Sequence, residues 1–194
     1  MPKKSTPTFV HEMPLRTDRK QLHALLKRFD VAHFAYNAVL QELLQRLDAM
    51  RADLRFEAVR KMPKGRSGDE ATQEQKDRYA ARRTAFATLR KEFGFSEYAA
   101  HEVVGKHVRA SHYLEDLIDS HTAQTLASRA FDACQKFASG VRGRPRFKRK
   151  GEIASIEGKG PSSPLNWKDD HVVWGGKRRD RRLVLRPIFD AKDK

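Results

Sequence analysis

The chain of 194 residues is 39% apolar, enough for one sizeable core or two small ones, and its 40 Lys and Arg against 25 Asp and Glu give a formal charge of +15. That balance, with a pI near 10.2, calls for a polyanionic partner. With no long apolar run, no lipidation motif and no hydrophobic stretch after Met1-Pro2-Lys3-Lys4-Ser5, that partner is expected to be nucleic acid in the cytoplasm, with no secretory signal and no membrane.

Thr6 to Pro14 places Phe9, Val10 and Met13 between prolines, which reads as a short strand pairing with a distant segment. Asp18 followed by Gln21 is a capping box, and Leu22, Leu25, Leu26, Phe29, Ala32, Tyr36, Val39, Leu40, Leu43, Leu44 and Leu47 continue a broad apolar stripe. The spacing predicts one long helix, or two joined near Asp30. Met62 to Ala71, with Pro63, Gly65 and Gly68, suits an exposed loop. Thr72 and Gln75 open a second helix through Phe93, with a thin apolar face of Tyr79, Phe86 and Leu89 and a stop at Gly94. Ser96 caps a third helix carrying Tyr98, Val104 and Val108. After a polar break at Ser111-His112, the last helix shows Ala123, Leu126, Ala127, Ala130, Phe131, Cys134 and Phe137 on one face and ends at Gly140.

Near residue 139 both the pattern and the charge change. Residues 139–194 hold sixteen basic and seven acidic residues, net +9, against net +6 for the first 138. Ile153 to Ile156, His171 to Trp174 and Leu183 to Ile188 read as strands, with Gly175-Gly176 and the basic run Lys177 to Arg182 as a hairpin connection. The expected fold class is α+β: residues 1–15 supply a strand, 16–138 a helical bundle, and 139–194 a β-rich segment that with the first strand makes a small barrel or sheet.

The sharpest local pattern is the run from Arg142 to Lys150, which contains no acidic residue. An extended backbone, favoured by Pro145, would put Arg142, Arg144, Arg146 and Lys148 on one face and turn Phe147 toward a core. Cations at roughly 6 to 7 Å intervals match successive phosphates of one nucleic-acid strand, and the competing reading is a solvated charged edge that discourages strand pairing. On the last helix Gln124, Thr125, Ser128 and Arg129, with His121 in the first turn, lie off the apolar face; they either reach base edges or form an ordinary polar side. Tyr36 fits the core by helical spacing, and Trp167 and Trp174 either stack on bases or, for Trp174, fill a core.

Catalytic sets are absent from the pattern: no carboxylate group suited to two metals, no nucleophile motif and no phosphate-cradling glycine loop. The single cysteine, Cys134, allows no intramolecular disulfide and leaves a zinc site to histidines, yet His107 and His112 are one residue too far apart for a helical ligand pair.

Taken in order, Phe34-Ala35-Tyr36-Asn37 in a long helix, then Gln124-Thr125-Leu126 with Phe131 and Phe137, then Gly143-Arg144-Pro145-Arg146-Phe147-Lys148, the chain resembles the N-terminal part of the TnpB family and its type V CRISPR effector descendants. The resemblance implies a barrel-like wedge domain, built from the first strand and the β-rich segment, with a helical recognition lobe inserted into it. It implies RNA-guided DNA binding, with guide RNA and target double-stranded DNA as partners. Arg142, Arg144, Arg146, Lys148, Arg149, Lys150 and Lys159 become candidate RNA contacts. Tyr36, Asn37, His121, Gln124, Thr125 and Arg129 become candidate readers of a short DNA motif beside the target. The family's RuvC nuclease, and the Mg²⁺ it uses, have no counterpart in these residues, so the expectation is a non-catalytic half: a fragment, a split protein or a nuclease-lacking member of a prokaryotic, nucleoid-associated system. The alternative is a structural RNA- or DNA-binding protein that needs no guide.

Overall fold

Asp18 accepts a hydrogen bond from Gln21 N at 2.7 Å while the Gln21 side chain accepts from Asp18 N at 3.0 Å, and this capping box starts the longest element of the fold. The computed structural model describes residues 12–160, 162–175 and 182–189. Helix α1, Arg19–Ala52, contains neither Gly nor Pro and runs unbroken past Asp30 for 34 residues, about 51 Å at the helical rise. It ends where Asp53 turns extended and caps the short helix α2, Leu54–Lys61, accepting from Arg55 N at 2.8 Å. The loop from Met62 to Ala71 follows as expected, and Thr72 with Gln75 forms the second capping box, opening α3, Gln73–Glu92.

At Gly94, with φ of 60°, Phe95 N reaches Arg90 O and Gly94 N reaches Lys91 O, a Schellman stop that only glycine accepts without strain. Ser96 caps α4, Glu97–Arg109. The Ser111 break itself caps a short helix, α5, His112–Leu117, and Asp119 caps α6, Ser120–Ala138. A second Schellman stop at Gly140, with φ of 77°, closes α6: Val141 N bonds Lys136 O and Gly140 N bonds Phe137 O.

Helices α1, α4, α5 and α6 enclose the main core, in which Leu40, Leu43, Leu47, Val104, Leu126 and Ala130 are essentially inaccessible. Cys134 lies in that core, and burial pushes its thiol up to about 11. Tyr98, expected on the inner face of α4, is instead 73% exposed; Ala99, Ala100, Val103, Val104 and Val108 form that face. The α2 and α3 pair extends from the bundle with only Val59 and Leu89 fully buried.

Among the described residues four antiparallel strands complete the fold: β1, Leu15–Arg16; β2, Leu165–Lys168; β3, His171–Trp174; and β4, Leu183–Pro187. Their order is β1-β4-β3-β2, with Leu15 opposite Pro187 and Trp174 opposite Leu183 and Leu165. The mixed α+β class therefore stands, but the sheet is open and no barrel closes among the described residues. The strand expected over Thr6 to Pro14 is not found at its described residues 12–14; a two-residue strand at Leu15–Arg16 pairs with the distant β4 instead. Residues 6–11 lie outside the described residues, as does most of the basic run Lys177 to Arg182.

Strand β2 was missed, and its signal is Asp169-Asp170, whose φ values of 49° and 58° form a two-residue hairpin turn to β3. Conversely, Ile153 to Ile156 is not a strand. Ile153 enters the helical core, and Ile156 packs against both that core and the smaller one formed by Trp174, Leu183 and Leu185. No helix of the described residues is long and apolar enough to cross a membrane.

Candidate nucleic-acid interface

After α6 the chain turns back and lays residues 142–150 antiparallel along α1. Arg144 forks onto Asp48, donating from both terminal nitrogens at 2.9 and 2.7 Å. Further along, Lys148 N donates to Asn37 Oδ1 and Asn37 Nδ2 donates to Lys148 O, each at 2.9 Å, with His33 Nε2 also 2.6 Å from Lys148 O. Lys150 then meets Asp30 at 3.0 Å. The anchors Asp30, Asn37 and Asp48 span eighteen residues of α1, about five turns, and so share one face. We call this segment the arm.

A reversal at Gly151, with φ of 83°, sends the chain back along α6. Arg129 donates to Ser155 O at 2.7 Å, the Thr125 hydroxyl lies 3.1 Å from Glu157 O, and Lys159 donates to Gln124 Oε1 at 2.7 Å. The β-branched pattern at Ile153 to Ile156 forms no ladder; Arg129 of α6 bonds its Ser155 carbonyl, and Thr125 bonds the Glu157 carbonyl just beyond it.

Between the arm and α6 lies a cleft of about 1260 Å³ lined by Arg129, Lys136, Arg142, Arg146, Lys148 and Arg149, with Tyr36 and Phe131 at its apolar wall. Its carboxylates are Glu97, Asp132 and Glu152. Lys136 pairs with Asp132 at 2.5 Å, Glu152 accepts from Arg149 N at 2.7 Å, and Glu97 accepts from Ser128 Oγ at 2.5 Å. The side chains of Arg142, Arg146, Lys148 and Arg149 have no ion-pair partner among the described residues. The cleft thus presents several free cations against carboxylates that are already engaged.

The structure reorders the candidate contacts. Arg142, Arg146, Lys148 and Arg149 come together on the cleft, whereas Arg144 is set apart: the Asp48 carboxylate raises its pKa, and its guanidinium lies 5.7 Å from the Phe137 ring centroid. Lys150 is paired with Asp30 and Lys159 with Gln124. The strict two-residue alternation fails because residues 145–149 line the cleft consecutively. Phe147 does not turn toward a core; it is 53% exposed, since the arm's backbone is held by side chains and forms no pleated sheet.

The candidate base readers are largely occupied. Tyr36 is buried, and desolvation raises its phenol pKa. Asn37 spends its amide on Lys148, and Arg129 and Thr125 are bonded to carbonyls of the returning segment. Buried His121 Nδ1 has no hydrogen-bond partner among the described residues. Among the described residues Gln124 engages only its oxygen, toward Lys159. His107 and His112 fall on separate helices, α4 and α5. Trp174 is core, while Trp167 is half-exposed, edge-on to Phe189 at 6.3 Å.

The residues missed by sequence reasoning are the acidic anchors Asp30 and Asp48 and the cleft lysine Lys136. A usable signal exists: Asp30, Phe34, Asn37, Gln41, Gln45 and Asp48 recur every three or four residues on a face of α1 that flanks its leucine stripe. Comparison with protein-family models, with curated proteins and with solved structures gave no match.

Proposed function

We propose that the chain grips the phosphate backbone of an RNA in the cleft between the arm and α6, as the binding lobe of an RNA-guided DNA-recognition protein. One observation carries the RNA-binding part: Arg142, Arg146, Lys148 and Arg149 line a single cleft without ion-pair partners among the described residues, on an arm that Asn37 holds in place before any ligand arrives. Free cations on a fixed backbone release counterions from a phosphate chain without first breaking internal salt bridges. The guided part is supported by the layout, in which Leu15–Arg16 joins the sheet of the last third while the helices lie between them in sequence, as in the wedge and recognition lobes of the TnpB family. In that reading base pairing supplies sequence information, target double-stranded DNA is the second partner, and cutting belongs to a RuvC segment and its Mg²⁺ outside these residues. Gln124, with its amide nitrogen still unused, is the best placed of the α6 residues to contact a flanking DNA motif.

The test is to purify the chain, sequence any RNA that accompanies it, and compare affinities for that RNA and for a scrambled RNA of equal length. A structured, preferred RNA is the expected result. Purification free of RNA, with equal affinity for both, would overturn guidance.

A second reading has its own observation. Because Asn37, Thr125 and Arg129 are engaged internally, few side chains remain to read bases, which favours a structural protein that binds RNA or DNA without a guide. Binding that falls steeply with salt yet ignores sequence would select it.

A further inference from the structure

The face of α1 that holds the arm uses Asp30, Asn37 and Asp48 as anchors and leaves Phe34, Gln41 and Gln45 out of them. Phe34 is 48% exposed in the middle of a long helix and belongs to a group of exposed rings, which is more telling than a single exposed side chain. Its ring stands edge-on to His107, with centroids 6.1 Å apart and an interplanar angle of 86°. The two rings form a wall between two shallow hollows of about 420 and 440 Å³. On one side the hollow ends at Phe147, 53% exposed, with Gln41 and Gln45 along its length. On the other it ends at Tyr113, 56% exposed.

We propose that this wall is a stacking site for unpaired nucleotides of the bound RNA, one hollow on each side of it. Aromatic faces accept any base, and solvent-facing rings gathered in one place are the platform such binding requires. The rim also selects this occupant. Lys148 is held there through its backbone by Asn37, which lines the first hollow, while the carboxylate of each hollow is paired, Glu42 with Arg46 in the first and Asp30 with Lys150 in the second, each at 3.0 Å. Phosphates would meet free or balanced positive charge, and the Gln41 and Gln45 amides could bond base edges. An apolar peptide would instead bury those amides and leave Lys148 without a counterion. Phe147 lines both the first hollow and the basic cleft, so a strand leaving the cleft enters the hollow directly. The inference rests on the RNA-binding reading above and adds a second site and a strand state to it.

The experiment titrates the full chain into a short single-stranded RNA carrying the fluorescent base 2-aminopurine, with its DNA counterpart and a blunt RNA duplex as controls. Stacking should quench the fluorophore on single-stranded RNA. Phe34→Ala should weaken that binding about tenfold with the salt slope unchanged, and leave duplex binding as it was. Phe34→Leu, which keeps apolar bulk and loses the ring, should lose the quench while its helical circular dichroism is preserved. If both variants bind and quench like the parent, the stacking site is overturned and the cleft reading stands. If the parent binds no RNA, both fall. Tighter binding of the DNA counterpart than of RNA would overturn the choice of RNA.

Discussion

The side-chain amide of Asn37 gives both of its functions to a single residue, accepting from Lys148 N and donating to Lys148 O, each at 2.9 Å. An amide side chain paired in this way imitates the next strand of a sheet, so the arm has a backbone partner although no strand lies beside it. Asn37→Ala removes both bonds and leaves only the His33 contact to Lys148 O. With each such bond contributing about 1 kcal/mol, the loss of both should open the arm roughly thirtyfold more often. Limited trypsin digestion with mass mapping reads this directly: cleavage after Arg146 and Lys148 should accelerate while cleavage in α3 does not. Equal rates at the arm would mean that Asn37 does not hold it.

The free and the paired cations should separate by salt dependence. Arg146→Ala with Lys148→Ala removes two charges that have no ion-pair partner among the described residues, and should lower the slope of log affinity against log salt by about two units. Arg144→Ala removes a charge already shared with Asp48 at 2.7 Å, so its slope should change by clearly less than one unit. Fluorescence anisotropy with a fixed RNA over a salt series measures both, and identical slopes for the two variants would contradict the division of roles.

Local signals in the sequence fared well because their physics is local. Asp18 with Gln21, Thr72 with Gln75, Ser96, and the glycines at 94 and 140 each bond within a few residues of themselves, so their spacing alone reveals them. Leu22 to Leu47 likewise declared α1, although its continuity past Asp30 depended on the absence of any breaker. The arm was legible as charge and illegible as geometry. Its anchors lie 96 residues away at Asp48 and 111 at Asn37, and no periodicity within residues 142–150 points to them. Phe147 was misplaced for the same reason, since an alternation rule assumes a ladder and this backbone is bonded by side chains. Ile153 to Ile156 has strand composition, yet Arg129 takes its Ser155 carbonyl and Thr125 the Glu157 carbonyl that follows.

Strong acid should release the Asp48 anchor of the arm. The hydrogen bonds from Arg144 hold the Asp48 carboxyl below its ordinary 3.8, outweighing the small opposing effect of burial. A carboxyl with a folded value below its unfolded one contributes its stabilisation in full above about pH 4 and loses it as the pH falls through the depressed value. Arm docking at this end is therefore expected to be indifferent to pH from neutrality down to that point. Carbon NMR titration of the Asp48 carboxyl should give a value below 3.8 that climbs toward it in Arg144→Met. A value already at 3.8 in the parent would show that the fork does not persist in solution.

A buried cation helps to join the sheet to the bundle, beside Ala24 and Leu25 of α1, which pack against the Trp174 cluster. Arg28 of α1 is 1% exposed, with its guanidinium 4.9 Å from the Trp174 ring centroid and Nη1 donating to Gly175 O at 3.0 Å. Trp174 Nε1 in turn donates at 3.2 Å to Asp119, the residue that caps α6. Desolvation lowers the Arg28 pKa and the nearby Asp119 opposes it, so the charge is kept by the ring face, the carbonyl and that carboxylate together. Arg28→Ala should cost about 3 kcal/mol, because it opens a cavity and strands the Gly175 carbonyl at once. Arg28→Met refills the volume and loses only the polar contacts, which should reduce the cost to about 1.5 kcal/mol. Urea unfolding followed by Trp174 fluorescence, in a Trp167→Phe background, and by helical circular dichroism gives both numbers. If the joint couples sheet to bundle, the two probes move together in every variant. A sheet transition that shifts alone would show that the cation stabilises β3 and β4 without tying them to α1, and the arm would then be held by the helices only.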